Sequence, residues 1–261
     1  MTDDESGAIL FFDPTDPFTP VGELPVTLQD SLGLVVSPTG SRLRRMPSAD
    51  THVRERRSVA TLSRDGMFRA SLQTSASGQL ATQERRLYRS LPGDGYLRRL
   101  EASVRSRLPG AVMTPGPIND DLEHNRFEHS AQLQARLFAA PSQGGLVFLP
   151  AVVSLSDVLP ILRPGPRQTA VVLAPRDEQD RFEVTLPVGL RVDELPMPQS
   201  VETPFGRFDV RWTTEGSRLV RVLSLRVNRN VVSPDRYAEL RAFVDRFRDI
   251  ERQPAVLARQ P

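Results

Sequence analysis

The stretch FGRFDVRWTTEGSRLVRVLSLRV, residues 205–227, decides the fold class. It contains two predicted strands, 205–212 and 219–227, and the first alternates apolar and charged side chains. Phe208, Val210 and Trp212 share one face, while the arginines and the aspartate between them share the other. This pattern is typical of an antiparallel sheet that has one face on a core and the other in water.

Short strands separated by turns are predicted along the rest of the chain. Arg64, Asp65 and Gly66 form a hairpin signal between two of them. Residues 114–125 are rich in Pro and Asp and predict a loop, and the tail after Pro254 is expected to be loose. The remaining predicted strands are 9–12, 32–36, 53–62, 68–73, 79–85, 127–138, 146–153, 169–173 and 182–186.

Two helices are predicted, near residues 95–108 and 234–251. In the first, apolar residues recur at every fourth position from Tyr96 to Leu108. The second begins with Ser233 as N-cap and Pro234 at the first helical position. Its apolar stripe consists of Tyr237, Leu240, Phe243, Val244, Phe247 and Ile250. Together these elements predict a mainly β fold, an antiparallel β-sandwich with two packed α-helices.

Composition excludes several classes of protein. Of the 261 residues, 39% are hydrophobic, which is enough for a sizeable core. The 23 prolines, spread along the chain, exclude a mostly helical bundle. With no Cys, the chain has no disulfide, Fe–S cluster, Cys-based zinc site or catalytic thiol. No apolar run approaches the ~18 residues of a membrane span, so none is expected in this chain.

Charge is unevenly distributed. All 34 basic residues are Arg; residues 1–36 contain seven acids and no base, whereas 42–107 contain 15 Arg and six acids. Nucleic-acid binding would favour a basic face with interleaved aromatic residues, and Tyr88 and Tyr96 are the only tyrosines in this stretch. The Arg surplus is therefore predicted to be a solvated surface without a nucleic-acid partner. The charge step near residue 40 indicates a domain boundary.

The three histidines do not predict a metal site. His124 and His129 are surrounded by Asp and Glu, but a five-residue spacing places two side chains on opposite faces of a strand. A metal ion needs convergent ligands. Neither these two residues nor His52 adjoins a nucleophile motif. We therefore expect no metal and no cofactor.

The most specific motif is FFDPTDPFTPVGELP, residues 11–25. It resembles the end of the catalytic core in bacterial transglutaminase-like proteins, where a Cys, a His and an Asp act together and the Asp lies in an Asp-Pro-Thr step at a strand end. The resemblance implies that Asp13 holds the position of the triad Asp, which fixes the His tautomer so that the His can activate the thiol. Gly22, Leu24 and Pro25 match the Gly-x-Leu-Pro stretch that follows, and 32–36 match the closing strand. From the residues alone, Asp13 is a turn-initiating Asp before Pro.

The resemblance continues less sharply downstream. Many such proteins carry a C-terminal β domain of unknown function after the core. Three stretches of this chain are similar to that domain. They are a strand–turn–strand around Asp65-Gly66, Leu-Pro-Val-Gly at 186–189 and a Tyr-x-x-Leu-Arg-x-Phe helix at 237–243. The resemblance implies that residues 1–38 are the terminal strands and loop of a truncated transglutaminase-like α+β core. Residues 39–261 would then be the C-terminal β-sandwich domain.

The resemblance also implies a function. The regions that carry the Cys and His would lie upstream of residue 1, so this chain is expected to be a non-catalytic accessory or interaction domain. Its partner would be the missing transglutaminase core or another protein, and the parent family suggests an exported or cell-envelope location. Two alternatives remain open. One is a binding module for a cell-wall polymer or a protein partner, and the other is part of a split enzyme completed by a Cys- and His-bearing chain.

The first 36 residues raise a question of stability. We expect strand 9–12, without its upstream neighbours, to pair only with 32–36 or with a borrowed edge. Leu10, Phe11 and Phe12 would then be partly exposed, which invites association. The segment is expected to contribute little to stability, and a chain starting at Thr39 should fold without it.

Overall fold

The structure is a computed structural model that describes residues 2–3, 9–37, 40–48, 52–142, 144–160 and 162–259. The helices are α1 (Gln79–Ser90), α2 (Gly95–Arg107) and α3 (Tyr237–Glu251), with short 3₁₀ segments at Ser156–Val158 and Pro234–Arg236. The strands are β1 (Thr2–Asp3), β2 (Ile9–Leu10), β3 (Leu32–Ser37), β4 (Gly40–Arg45), β5 (Val53–Leu62), β6 (Phe68–Ser77), β7 (Val112–Asp121), β8 (Arg126–Ala135), β9 (Ala139–Ser142), β10 (Gly145–Phe148), β11 (Val171–Leu173), β12 (Arg176–Thr185), β13 (Leu190–Glu194), β14 (Gln199–Thr203), β15 (Gly206–Glu215), β16 (Arg218–Val227), β17 (Asn230–Val232) and β18 (Ala255–Arg259).

The predicted mainly β fold is confirmed, and its largest element is an eight-stranded sheet in the order β14-β15-β16-β12-β5-β6-β8-β7. Neighbouring strands are antiparallel except β12 and β5, which are parallel. One face of this sheet is buried by α2 and the four-stranded sheet β13-β18-β10-β9 in one core cluster, and by α3 in a second. The layers therefore form a sandwich with helices packed on it.

Two of the three helices match the sequence predictions. Helix α2 occupies Gly95–Arg107, and α3 buries all six residues of its predicted apolar stripe. The third, α1, contradicts the strand predicted at 79–85. Its inward face carries Leu80 and Ala81 but also Thr82 and Arg85, all buried, so the apolar repeat that signals a helix is interrupted.

Two segments predicted to be loops are strands. Residues 114–125 fall largely in β7, which is at the edge of the large sheet, where the missing N–H of a proline is tolerated. The tail after Pro254 forms β18, which lies between β10 and β13 and buries Ala255 and Leu257. Residues 255–258 are four consecutive apolar residues, so the sequence shows no alternation there that would predict a strand. None of the helices in the described residues is long and apolar enough to cross a membrane.

The N-terminal segment pairs differently from the prediction. Ile9–Leu10 pairs with Thr2–Asp3, and Leu32–Ser37 pairs with Gly40–Arg45, so the expected pairing of 9–12 with 32–36 is wrong. Leu10 and Phe12 are 37% and 39% exposed, as expected. The predicted domain boundary at 38–39 lies outside the described residues and stays a prediction.

Candidate functional site

Asp13 lies in a local turn. Its Oδ1 accepts hydrogen bonds from the Thr15 backbone N–H at 2.9 Å and from the Thr15 hydroxyl at 2.6 Å. These bonds, the side-chain one first, hold the pKa of the Asp13 carboxyl below its usual value. Because both partners belong to Thr15, the contacts are those of a turn-initiating Asp-Pro-Thr step.

The structure separates the two neighbouring histidines. His124 lies in the turn between β7 and β8, with Nδ1 2.8 Å from Asp121 Oδ2, and its side chain is exposed. His129 is buried on β8. Among the residues that the structure describes, no group of three or more His, Cys, Asp or Glu could hold a metal ion.

An exposed apolar surface lies on the β3–β4 hairpin. Leu32, Leu34 and Val36 are 62%, 63% and 74% exposed and occupy alternate positions on β3. Leu43 on β4 is 67% exposed and lies directly opposite Leu34. We call these four residues the hairpin stripe. Contiguous exposed apolar side chains of this kind mark interaction surfaces.

The base of the hairpin is fixed to the rest of the molecule. The Met46 backbone N–H donates to the Ser31 carbonyl at 2.8 Å, and Arg45 Nη1 donates to the Asp30 carbonyl at 2.9 Å. Arg229 in turn lies 3.3 Å from the Asp30 carboxylate. The guanidinium of Arg44 lies 5.5 Å from the centre of the Phe11 ring. A hairpin held at its base presents the stripe in a defined position.

A second feature is a polar band across the buried face of the large sheet. Arg56 on β5 lies directly opposite Thr74 on β6, which lies directly opposite His129 on β8. Arg54 on β5 is paired in register with Glu178 on β12. The Arg56 side chain is 10% exposed, and the other four residues are buried.

Ion pairs compensate most of the charge in this band. Glu178 lies 3.1, 3.6 and 3.7 Å from the guanidinium groups of Arg54, Arg56 and Arg176. Arg54 also donates from Nη2 to Glu84 of α1 at 2.7 Å. Buried charges persist only where they are paired in this way.

Burial sets the protonation of two rings, that of His129 in the band and that of Tyr96 beside it. The Tyr96 hydroxyl donates to Glu84 Oε2 at 3.1 Å, and burial together with the Glu84 charge raises the pKa of Tyr96 far above its usual value. Burial lowers the pKa of His129 to about 4, against the opposing charge of Glu84. At neutral pH the tyrosine is therefore protonated and the histidine is neutral.

The sequence patterns did not lead to a prediction of the polar band. The Arg surplus in 42–107 was predicted to be a solvated surface, and this is wrong for part of it. Arg54 and Arg85 are buried, and Arg56 nearly so. A signal was present in the strand alternation. On β5, Arg54 and Arg56 have the same parity as the buried Ala60 and Leu62, so their side chains point towards the core.

Protonation of His129 is expected to destabilise the protein as pH falls from about 6.5 to 4. In the unfolded state His129 binds a proton near pH 6.5, whereas in the folded state its pKa is about 4. Because the unfolded state binds the proton first, acidification favours unfolding, by about 2–3 kcal/mol at pH 4.5. Urea denaturation at pH 7 and pH 4.5 measures the loss, and His129→Gln should reduce it. The exposed His124→Gln variant is the control and should keep the wild-type loss; an equal loss in both variants contradicts the prediction.

The other face of the sheet is open and polar, as the alternation in 205–227 predicts. It forms a groove of about 540 Å³ over β12, β5, β6, β8 and β7. Charged and amide side chains line it, among them Glu55, Arg57, Gln73, Glu128, Gln179 and Arg181. The described residues that line it include no Phe, Tyr or Trp.

Part of the chain matches a known protein family. Residues 146–257 match the model of a family described as "Domain of Unknown Function with solved-structure structure (DUF3858)". This range runs from β10 to β18 and includes α3. This match confirms the expected resemblance to a domain of unknown function for residues 146–257. A search of curated proteins found no match.

The solved structures that are similar to part of the chain include the crystal structure of a "putative protease" from Parabacteroides distasonis, with 13% sequence identity and a TM-score of 0.36. The match covers 56% of this chain and 39% of that chain.

Proposed function

We propose that this chain is a non-catalytic accessory domain that docks onto a protein partner through the hairpin stripe. The observation that carries the proposal is the exposure of Leu32, Leu34, Val36 and Leu43 on a hairpin fixed at its base. The partner is a transglutaminase-like core that carries its own Cys and His. This choice is supported by the resemblance of residues 8–36 to the end of such a core.

The geometry of the hairpin supports recognition by a sheet. Within the described residues, β3 and β4 form a two-stranded sheet of their own, so each strand keeps an outer edge that a partner strand can extend. Side chains at alternate positions would then enter apolar pockets of the partner. Arg42 and Arg45, both exposed on β4, favour a partner surface with acidic margins.

The polymer-binding alternative has less support. Proteins that bind polysaccharide chains stack sugar rings on aromatic side chains, and the open groove has none among its described lining residues. The hairpin stripe is aliphatic, which suits a protein partner. The split-enzyme alternative requires the same docking surface. It differs from the accessory-domain proposal only in that the chain would add a group to the catalytic site.

Site-specific photo-crosslinking tests the docking surface. A benzophenone amino acid at Leu34 is expected to give an adduct with a protein that carries a Cys- and His-bearing transglutaminase-like core, identified by mass spectrometry. The matched control is the same group at Leu137, which is 85% exposed and lies outside the hairpin. An adduct with a different class of protein, equal adducts at both positions, or no adduct at Leu34 overturns the proposal.

Charge insertion in the stripe provides a second test. We expect Leu34→Asp and Leu43→Asp to abolish the complex without moving the denaturation midpoint, because both side chains are already in water. The control Leu137→Asp should leave the complex intact. Complexes of undiminished affinity in both hairpin variants would contradict the stripe as the interface.

The chain alone is expected to show no amidase, protease or transglutaminase activity. Acyl transfer by this family's chemistry needs a thiolate and an activating base, and the chain contains no Cys. Glutamine-donor and peptide hydrolysis assays measure this directly. Turnover above a heat-inactivated control would overturn the non-catalytic assignment.

A further inference from the structure

A cavity of about 230 Å³ lies over the polar band, between α2, the large sheet and the segment 153–158. Its walls are mostly apolar and include Leu87, Leu100, Val104, Met113, Val153 and Val158. Its polar floor contains Arg56, Thr74 and His129, which are adjacent in register on three neighbouring strands. Apolar walls around a few convergent polar groups are typical of a small-molecule site.

Two buried atoms on this floor have unused hydrogen-bonding capacity. Within the described structure, Arg56 Nη1 and His129 Nδ1 have no hydrogen-bond partner. Arg56 Nη1 lies 3.6 Å from Glu178 Oε2, which also has no hydrogen-bond partner among the described residues, so the two form an ion pair beyond hydrogen-bond distance. Glu84 also lines the cavity, but both its oxygens are engaged, by Arg54 and Tyr96. A buried polar atom without a partner is costly, so these two atoms indicate a ligand with a complementary polar group.

The charge of the floor indicates the sign of that group. Three guanidinium groups, those of Arg54, Arg56 and Arg176, share two carboxylates, those of Glu84 and Glu178. One positive charge is therefore uncompensated within this cluster. Near apolar walls, where water screens charge less than in the open solvent, such a charge attracts an anion.

The other charges around the cavity do not cancel this surplus. Asp180 and Arg221 lie 3.8 Å apart and compensate each other. Glu251, which accepts a hydrogen bond from the lining Ser154, lies 3.9 Å from Arg107, so this second pair is also neutral. Arg99 and Asp157, both exposed, line the cavity and offset each other. His129 is neutral at pH 7 because burial lowers its pKa to about 4.

We propose that this cavity binds a small monocarboxylate with a compact apolar body. The carboxylate lies at the floor and accepts hydrogen bonds from Arg56, from the Thr74 hydroxyl and from His129. The body lies between the apolar walls. An apolar cavity of about 150 Å³ holds benzene, so about 230 Å³ accommodates a phenyl ring with a short carboxylate arm. The site is independent of the hairpin stripe, and its test does not depend on a partner protein.

Three ligands with the same body and different charge test the proposal on the full chain. Calorimetric titration with phenylacetate is expected to give one site per chain and a higher thermal midpoint. The neutral 2-phenylethanol and the cationic phenethylamine are expected to bind at least about tenfold more weakly, because neither supplies an anion to the guanidinium. Equal binding of phenylacetate and 2-phenylethanol, or no binding of phenylacetate, overturns the proposal.

Variants locate the ligand. Arg56→Gln should weaken phenylacetate binding by about tenfold or more, whereas the control Arg99→Gln should change it little. Arg56 also belongs to an ion cluster, so two milder variants accompany it. Thr74→Val removes only the hydroxyl, and Ser103→Phe on α2 fills the cavity from its partly exposed side. Both should weaken binding, and undiminished affinity in both overturns the assignment to this cavity.

Discussion

Replacement of Phe247 by alanine is expected to lower the free energy of unfolding by about 3–5 kcal/mol. Phe247 is fully buried on α3, and its ring centre lies 5.3 Å from that of Phe208 on β15. The ring fills space between the helix and the sheet, so truncation removes its transfer free energy and leaves a cavity. Urea denaturation followed by circular dichroism measures the loss.

The same helix provides the comparison variants. Phe243→Ala should cost a similar amount, since Phe243 is 4% exposed and its ring lies 5.5 Å from that of Phe208. Arg246→Ala, at an exposed position of α3, should change the stability by no more than about 0.5 kcal/mol. Unchanged midpoints in both Phe variants would mean that α3 is not docked on the sheet.

Where apolar periodicity is unbroken, the sequence predicts the structure closely. The stripe from Tyr237 to Ile250 repeats at helical spacing, and all six of its members are buried. The alternation at Phe208 and Val210 likewise predicts the buried face of β15. In both cases the whole apolar pattern lies within one segment. The buried face can therefore be predicted without knowing which other segments pack against it.

Periodicity fails where polar residues occupy core positions. In α1, Glu84 and Arg85 lie on the inward side, and their burial depends on partners far along the chain. Arg54 and Glu178 are 124 residues apart in sequence and meet because β5 and β12 are parallel neighbours. Sequence spacing does not contain that adjacency. The alternation on β5 can place Arg54 and Arg56 on the inward face, but it cannot predict their partners or the cavity.

The N-terminal segment was predictable only in part. Exposure of Leu10 and Phe12 was predicted from a pairing of 9–12 with 32–36 that the structure does not have. The hairpin stripe depends on the pairing of β3 with β4, which was not predicted. The segment also contacts α1, since the Gln79 side chain donates to the Leu24 carbonyl at 3.0 Å. A chain starting at Thr39 lacks this contact, and a fall in its melting temperature of more than a few degrees would contradict the predicted boundary.

Replacement of Arg85 by methionine is expected to lower the free energy of unfolding by about 3–5 kcal/mol. Arg85 is fully buried on α1, and its guanidinium donates hydrogen bonds to groups on three parts of the fold. Its acceptors are Asp120 Oδ1, Asn125 Oδ1 and the carbonyls of Phe18, Asp121 and Arg126. Without the guanidinium, these groups lose a shared donor, and the Asp120 carboxylate loses a buried cation.

The adjacent residue is the matched control for Arg85. Arg86 pairs with Asp16 at 2.7 Å, but its side chain is 51% exposed, so Arg86→Ala should cost no more than about 1 kcal/mol. Arg85→Lys keeps the charge but cannot form the fork of parallel hydrogen bonds, and it should fall between the wild type and Arg85→Met. Hydrogen exchange should quicken around Phe18 in Arg85→Met, because its carbonyl loses the bond that ties this segment to α1. If Arg85→Met and Arg86→Ala unfold at the same denaturant concentration, the buried network contributes no more than a surface ion pair, and the segment is held by its other contacts alone.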